Sequence, residues 1–149
     1  MSRTPNWILI LAALFVGLIG VLGLVNLFSE SYDYDDPEMV HVENWLTYST
    51  QVPSEGYMVL YHYSESCSFC QQIQDDILGF ASSNPSDIPV LLADVNDADL
   101  RASNQFAPVS ITGTPTVTIY LDGEVIDQRV GPDPIIAMIN DFNAGTFAP

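Results

Sequence analysis

Basic residues are almost missing from this chain. It has no lysine, and three arginines stand against nineteen acidic residues, for a formal net charge of −16. All the acids lie from Glu30 onward, where only Arg101 and Arg129 oppose them, so that part carries −19 + 2 = −17. A polyanion of this kind excludes nucleic acid and anionic lipid headgroups as partners. It fits a soluble surface in a salty or acidic setting, or a basic partner. Cysteine is as scarce, with only Cys67 and Cys70, and histidine is limited to His41 and His62. No internal repeat or low-complexity tract interrupts the reading.

Charge is absent altogether from residues 7–28, where Asn26 is the one polar residue. At about 1.5 Å per residue this run spans about 33 Å, enough for the hydrocarbon core of a bilayer. A cleavable signal peptide is the competing reading. Its apolar region should cover about 7–15 residues and end in an A-x-A-like site. This run is longer, and Gly23-Leu24-Val25-Asn26-Leu27-Phe28 contains no such site. An uncleaved transmembrane helix at 7–28 is therefore expected. Arg3 precedes the span and acids follow it, so residues 1–6 are expected in the cytoplasm and the rest outside. The expected location is the cell membrane, single-pass, with an extracytoplasmic C-terminal domain. Residues 29–37 read as an acidic linker without periodicity, and 38–149 as the folded part.

Within the folded part the pattern predicts helix over 37–49, strand over 57–63 and helix over 68–83, stopped by Asn84-Pro85. The apolar run 88–93 reads as a strand covered on both faces, followed by a short helix over 97–106. Strands over 116–121 and 124–130 flank Asp122-Gly123, a hairpin signal, and a last helix capped by Asp133 covers 134–143. The order α, β, α, β, α, β, β, α implies a mixed sheet sandwiched by helices, so the fold class is α/β.

The two cysteines fall at Cys67-Ser68-Phe69-Cys70, where strand hands over to helix. Two residues between thiols on a helix's first turn let the sulfurs join and part reversibly. Unpaired N–H groups and the helix dipole there favour a thiolate on the first cysteine. Glu65, Asp75 and Asp76 oppose that ionisation. With no second dithiol in the chain, any electron source or sink is another molecule. Two Cys and two His can bind zinc, but the spacing is unlike a finger, so no metal is expected and both histidines read as structural and partly exposed. Tyr57, Tyr61 and Tyr63 alternate and should share one sheet face, packed in the core.

In this order the residues resemble the thioredoxin family over about 38–143. The likeness rests on the CxxC after a strand, on Leu91-Leu92-Ala93-Asp94-Val95-Asn96, on Ile111-Thr112-Gly113-Thr114-Pro115-Thr116, and on the hairpin followed by Val130-Gly131. It implies a thioredoxin-like mixed sheet flanked by helices, with Cys67 as the nucleophile that forms a mixed disulfide and Cys70 as the cysteine that resolves it. It also implies that Pro115 is a cis-proline facing the cysteines, with the backbone of Thr114 left to pair with an extended substrate segment. Gly131 would keep space clear beside that groove. No cofactor is implied beyond the Cys67–Cys70 disulfide, and the partners are protein thiols or disulfides plus a separate redox protein.

Three departures stand out. Ser66 occupies the place of the family's usual tryptophan, Tyr61 that of a buried acid, and Leu92 or Ala93 that of a frequent lysine. The usual proton relay is therefore missing, and Glu65 is the nearest candidate for proton transfer, with a solvated surface acid as the alternative. A weakly stabilised thiolate implies a less oxidising couple, which favours a reductase or an isomerase-like exchanger. Two functions compete: a membrane-anchored thiol–disulfide oxidoreductase, and a redox-inert interaction module whose CxxC is a structural disulfide.

Overall fold

The structure, a computed structural model, describes residues 31–148. Among them no helix is long and apolar enough to cross a membrane, and the anchor expected at 7–28 lies outside the described residues.

Five extended segments form a mixed sheet in the order β1-β3-β2-β4-β5. The central strand β2 (Tyr57–Tyr63) pairs in parallel with β3 (Val90–Asp94) and antiparallel with β4 (Thr116–Leu121). β1 (Val40–His41) adds in parallel to β3, and β5 (Glu124–Val130) pairs antiparallel with β4. Parallel β2 and β3 require a crossover, supplied by α2 (Ser68–Gln72) and α3 (Gln74–Ser83). The β4–β5 hairpin turns at Asp122 (φ 52) and Gly123 (φ 81), the two positive angles that a tight hairpin turn demands.

Strand alternation divides the core between the two sheet faces. On one face Val59, Tyr61 and Tyr63 join Leu92, Val117 and Ile119 beneath α2, α3 and α5 (Pro132–Asn143). On the other, Met58 and Leu60 join Leu91, Ala93 and Tyr120 beneath α1 (Trp45–Tyr48) and α4 (Ala98–Ala102). Asp97 caps α4, its Oδ1 accepting from Asp99 N at 2.8 Å and Leu100 N at 2.9 Å.

Four expectations need correction. The stretch 37–49 is not one helix. Val40 and His41 pair with the open edge of β3, and Val42 N donates to Leu92 O at 2.8 Å, which leaves helix only at Trp45–Tyr48, capped by Asn44. The helix over 68–83 breaks at Ile73 (φ −113, ψ 9), a residue buried in the core. The last helix begins at Pro132 rather than 134, because a proline at the first position forfeits no helical hydrogen bond, and Asp133 sits in the first turn instead of capping.

Finally, the stretch 29–37 is not a free linker throughout. Tyr32 O accepts from Gln74 Nε2 at 2.9 Å, and Tyr34 is buried, stacked on Tyr63 with ring centroids 4.0 Å apart. The stacking gain of two aromatic rings and the area they bury outweigh the acidic character of the flanking residues.

Candidate active site

The site is built where β2 ends. Beyond Tyr63 the chain turns through Ser64-Glu65-Ser66, and Cys67 N donates to Ser64 O at 3.0 Å. Asn96 Nδ2 donates to Ser64 Oγ at 2.6 Å, and the Ser64 and Ser66 hydroxyls lie 3.0 Å apart. This polar brace fixes the turn that presents Cys67. Cys67 is the N-cap of α2, in extended backbone conformation, with its Sγ accepting from Cys70 N at 3.3 Å. Its thiol also donates to Thr114 O at 3.3 Å, which brings the loop before β4 onto the motif. The Thr114–Pro115 peptide is cis, and Gly131 N donates to Pro115 O at 2.9 Å.

Both cysteines are free thiols, Cys67 partly exposed and Cys70 fully buried. Burial raises the pKa of Cys67, but hydrogen bonds from the Cys70 thiol, the Thr114 side chain and the Cys70 and Phe69 backbone outweigh it, and the net direction is downward. Burial also raises the pKa of Cys70, and there the Cys67 side chain adds to it, so the net direction is upward. The pair is therefore ordered: the outer sulfur ionises first. Phe69, 55% exposed, gives the motif an apolar neighbour at the surface.

The Thioredoxin family model matches residues 39–143. This chain belongs to the thioredoxin family. Solved thioredoxins share the architecture. Malassezia sympodialis thioredoxin is 19% identical, with a TM-score of 0.58 over 70% of this chain and 90% of that one. Chlamydomonas reinhardtii thioredoxin f2 is 19% identical, with a TM-score of 0.55 over 69% of this chain and 94% of that one. A mutant of Halobacterium salinarum thioredoxin is 20% identical, with a TM-score of 0.56 over 76% of this chain and 96% of that one. Likeness at such identities carries the fold alone. No curated protein matches the chain.

Against the thioredoxin pattern the departures now have places. Ser66 belongs to the brace just described. Glu65 is exposed; its backbone carbonyl accepts from Gln71 Nε2 at 2.8 Å. Its charge acts on Tyr34 and Tyr63, raising both. Gly131 owes its identity to φ +88, and a Cβ there meets nothing within 4 Å.

The histidines lie apart from the thiols. His41 is on β1, its Nε2 2.9 Å from Tyr34 O. His62 is on the opposite sheet face from Cys70, against Trp45, and is fully buried rather than partly exposed because β3 and β4 flank it and α1 covers it.

Sequence reasoning missed Tyr34 and the part played by Tyr61. Tyr61 is wholly buried, its hydroxyl 3.4 Å from that of Tyr34, in the same core cluster as Cys70. The signal available was a tyrosine at the position of the family's acid, together with the alternation of Tyr32 and Tyr34 in an otherwise acidic stretch.

Proposed function

We propose that this protein is a membrane-anchored thiol–disulfide oxidoreductase that exchanges disulfides with secreted or surface proteins outside the cytoplasm. The observation that carries the activity is the ordered dithiol: Cys67 open and shifted down, Cys70 buried and shifted up, with Thr114 O against the outer thiol. In the reducing direction the Cys67 thiolate attacks a substrate sulfur, the substrate disulfide breaks, and a mixed disulfide forms. Cys70 then attacks Cys67 Sγ, and the substrate leaves as its second thiolate. The Cys67–Cys70 pair carries both electrons without a cofactor, and a separate redox protein resets it. Because hydrogen bonds rather than a cation lower Cys67, the reading favours a reductase or isomerase-like exchanger over a strong oxidant.

Insulin reduction in the presence of dithiothreitol tests the chemistry. Cys67→Ser is expected to bring the rate to the uncatalysed background. An unchanged rate in that variant sinks the proposal. A Cys67–Cys70 reduction potential far below the glutathione range would favour the inert staple instead.

The anchor is supported by the charge-free run 7–28 and by Arg3 ahead of it. In fractionated cells the full chain should pellet with membranes, resist high salt and dissolve in detergent. A variant starting at Ser31 should stay in the supernatant. Full-length protein in the soluble fraction would overturn the anchoring.

A further inference from the structure

The sheet face opposite the cysteines holds a cavity of about 390 Å³, bordered by α1, α4 and the stretch 107–111. Trp45 from α1, His62 from β2, Ala93 from β3 and Leu100 from α4 line it, and all four are buried. Arg101 and Ser110 line it too, and both are exposed. The volume lies at the small end of the roughly 300–1,000 Å³ of ligand pockets, room for a single substituted ring.

No acid lines this cavity, in a chain that carries nineteen. Three other recesses each carry at least two: Asp33 with Asp35, Asp122 with Glu124, and Asp94 with Asp97 and Asp99. Of the two arginines among the described residues, Arg129 is held by Asp127 at 2.6 Å, and Arg101 makes no ion pair. Asp97, one helical turn before Arg101, is occupied as the cap of α4. The guanidinium is thus left for a carboxylate from outside, to which it can offer two parallel N–H donors.

His62 adds a second polar group. It is 2% exposed, and its Nε2 is buried without a hydrogen-bond partner, a state that costs free energy until a partner arrives. Burial lowers its pKa to about 4, so the ring is uncharged at neutral pH. The second side-chain torsion of histidine is broad, so the ring can swing Nε2 towards the cavity that it borders. A neutral imidazole donates or accepts at Nε2 according to its tautomer, and a hydroxyl group can answer either.

We propose that this cavity binds a small hydroxylated aromatic carboxylate, with the carboxylate on Arg101, the ring against Trp45 and Leu100, and the hydroxyl on His62. One guanidinium balances a monoanion. A phosphate, with nearly two negative charges, would be left undercompensated in a chain at −16. A purely apolar ligand would leave both Arg101 and His62 without partners. Binding forms no covalent bond and does not depend on the exchange chemistry, which belongs to the other face of the sheet.

Isothermal titration of the full-length protein tests the site with 4-hydroxybenzoate, benzoate and 4-hydroxybenzamide. The first should bind one to one. The amide, which lacks the charge, and benzoate, which lacks the hydroxyl, should each bind about tenfold more weakly. Arg101→Gln should abolish the preference for the acid over its amide, and His62→Phe the preference for 4-hydroxybenzoate over benzoate. A general loss of packing would weaken all three ligands together and leave those ratios intact. Arg101 is exposed, so its variant carries the test if His62→Phe does not fold. No saturable binding of 4-hydroxybenzoate up to roughly 10 mM means a cavity that holds water only and overturns the proposal. Ratios unchanged in Arg101→Gln overturn it equally. Because the readout is binding, either failure leaves the insulin-reduction result untouched.

Discussion

A Cys70→Ser protein is expected to stop after one half-reaction, with its partner held on Cys67 as a mixed disulfide. Cys67 is the accessible sulfur and the one whose pKa falls, so the variant keeps its nucleophile. What it loses is the buried group that attacks the mixed disulfide from within. A serine hydroxyl cannot take over, since its pKa lies far above that of a thiol and a neutral alcohol does not displace a sulfur. Multiple-turnover reduction should fall to background while the first attack proceeds at close to its normal rate. The change should be mild for the fold, because serine is close to cysteine in size and leaves no large cavity. Non-reducing electrophoresis with a disulfide-bonded substrate reads the outcome directly: a covalent adduct that persists and is dissolved by dithiothreitol. If Cys67→Ser accumulates the adduct instead and Cys70→Ser does not, the roles of the two sulfurs are reversed.

Mild acid should weaken the fold through His62. Burial alone lowers its pKa from 6.5 to about 4, and its Nε2 is buried without a hydrogen-bond partner. The unfolded chain therefore takes up a proton that the folded chain refuses. The folded state keeps its full stability above pH 6.5 and loses it as pH falls towards about 4. The loss across that window amounts to about 3 kcal/mol, a substantial part of the roughly 5–15 kcal/mol that holds a small domain together. The diagnostic quantity is the difference between wild type and His62→Phe. Phenylalanine keeps an aromatic ring against Trp45 and removes the proton site. Urea midpoints should drop steeply from pH 7 to pH 4.5 in wild type and less in the variant. Parallel curves would clear His62 of the effect.

The strands that position the site were legible because each carried a strong local pattern. β2, β4 and β5 fall on the expected residues, since alternating aromatic and β-branched runs next to Asp122-Gly123 leave little choice. β3 was legible as an apolar run, and its burial on both faces follows from having neighbours on each side. What failed were features decided by tertiary contact. Two residues of parallel edge strand at Val40–His41 have no period to detect, and their pairing depends on β3, about 50 residues away. The break at Ile73 follows no glycine or proline; it accompanies burial of a side chain that local spacing places no differently from its neighbours.

The site divides the same way. Cys67, Cys70, Thr114 and Pro115 could be named from short motifs. Tyr34 could not, because acidic residues on either side outvoted it in any window. Its burial and its stack with Tyr63 show that it belongs to the core. Glu65, named from nearness along the chain, is an exposed residue of the turn that follows β2.

The unequal burial of the two sulfurs has a consequence for traffic. Only Cys67 faces outward, and the chain has no second dithiol through which to load or unload electrons. On the proposed exchange, whatever delivers electrons and whatever receives them must dock at the same doorway, one after the other. The two visitors never meet on this protein, so each must recognise the same few ångströms of surface around Phe69 and Thr114. Throughput is then set by how promptly one leaves before the other arrives.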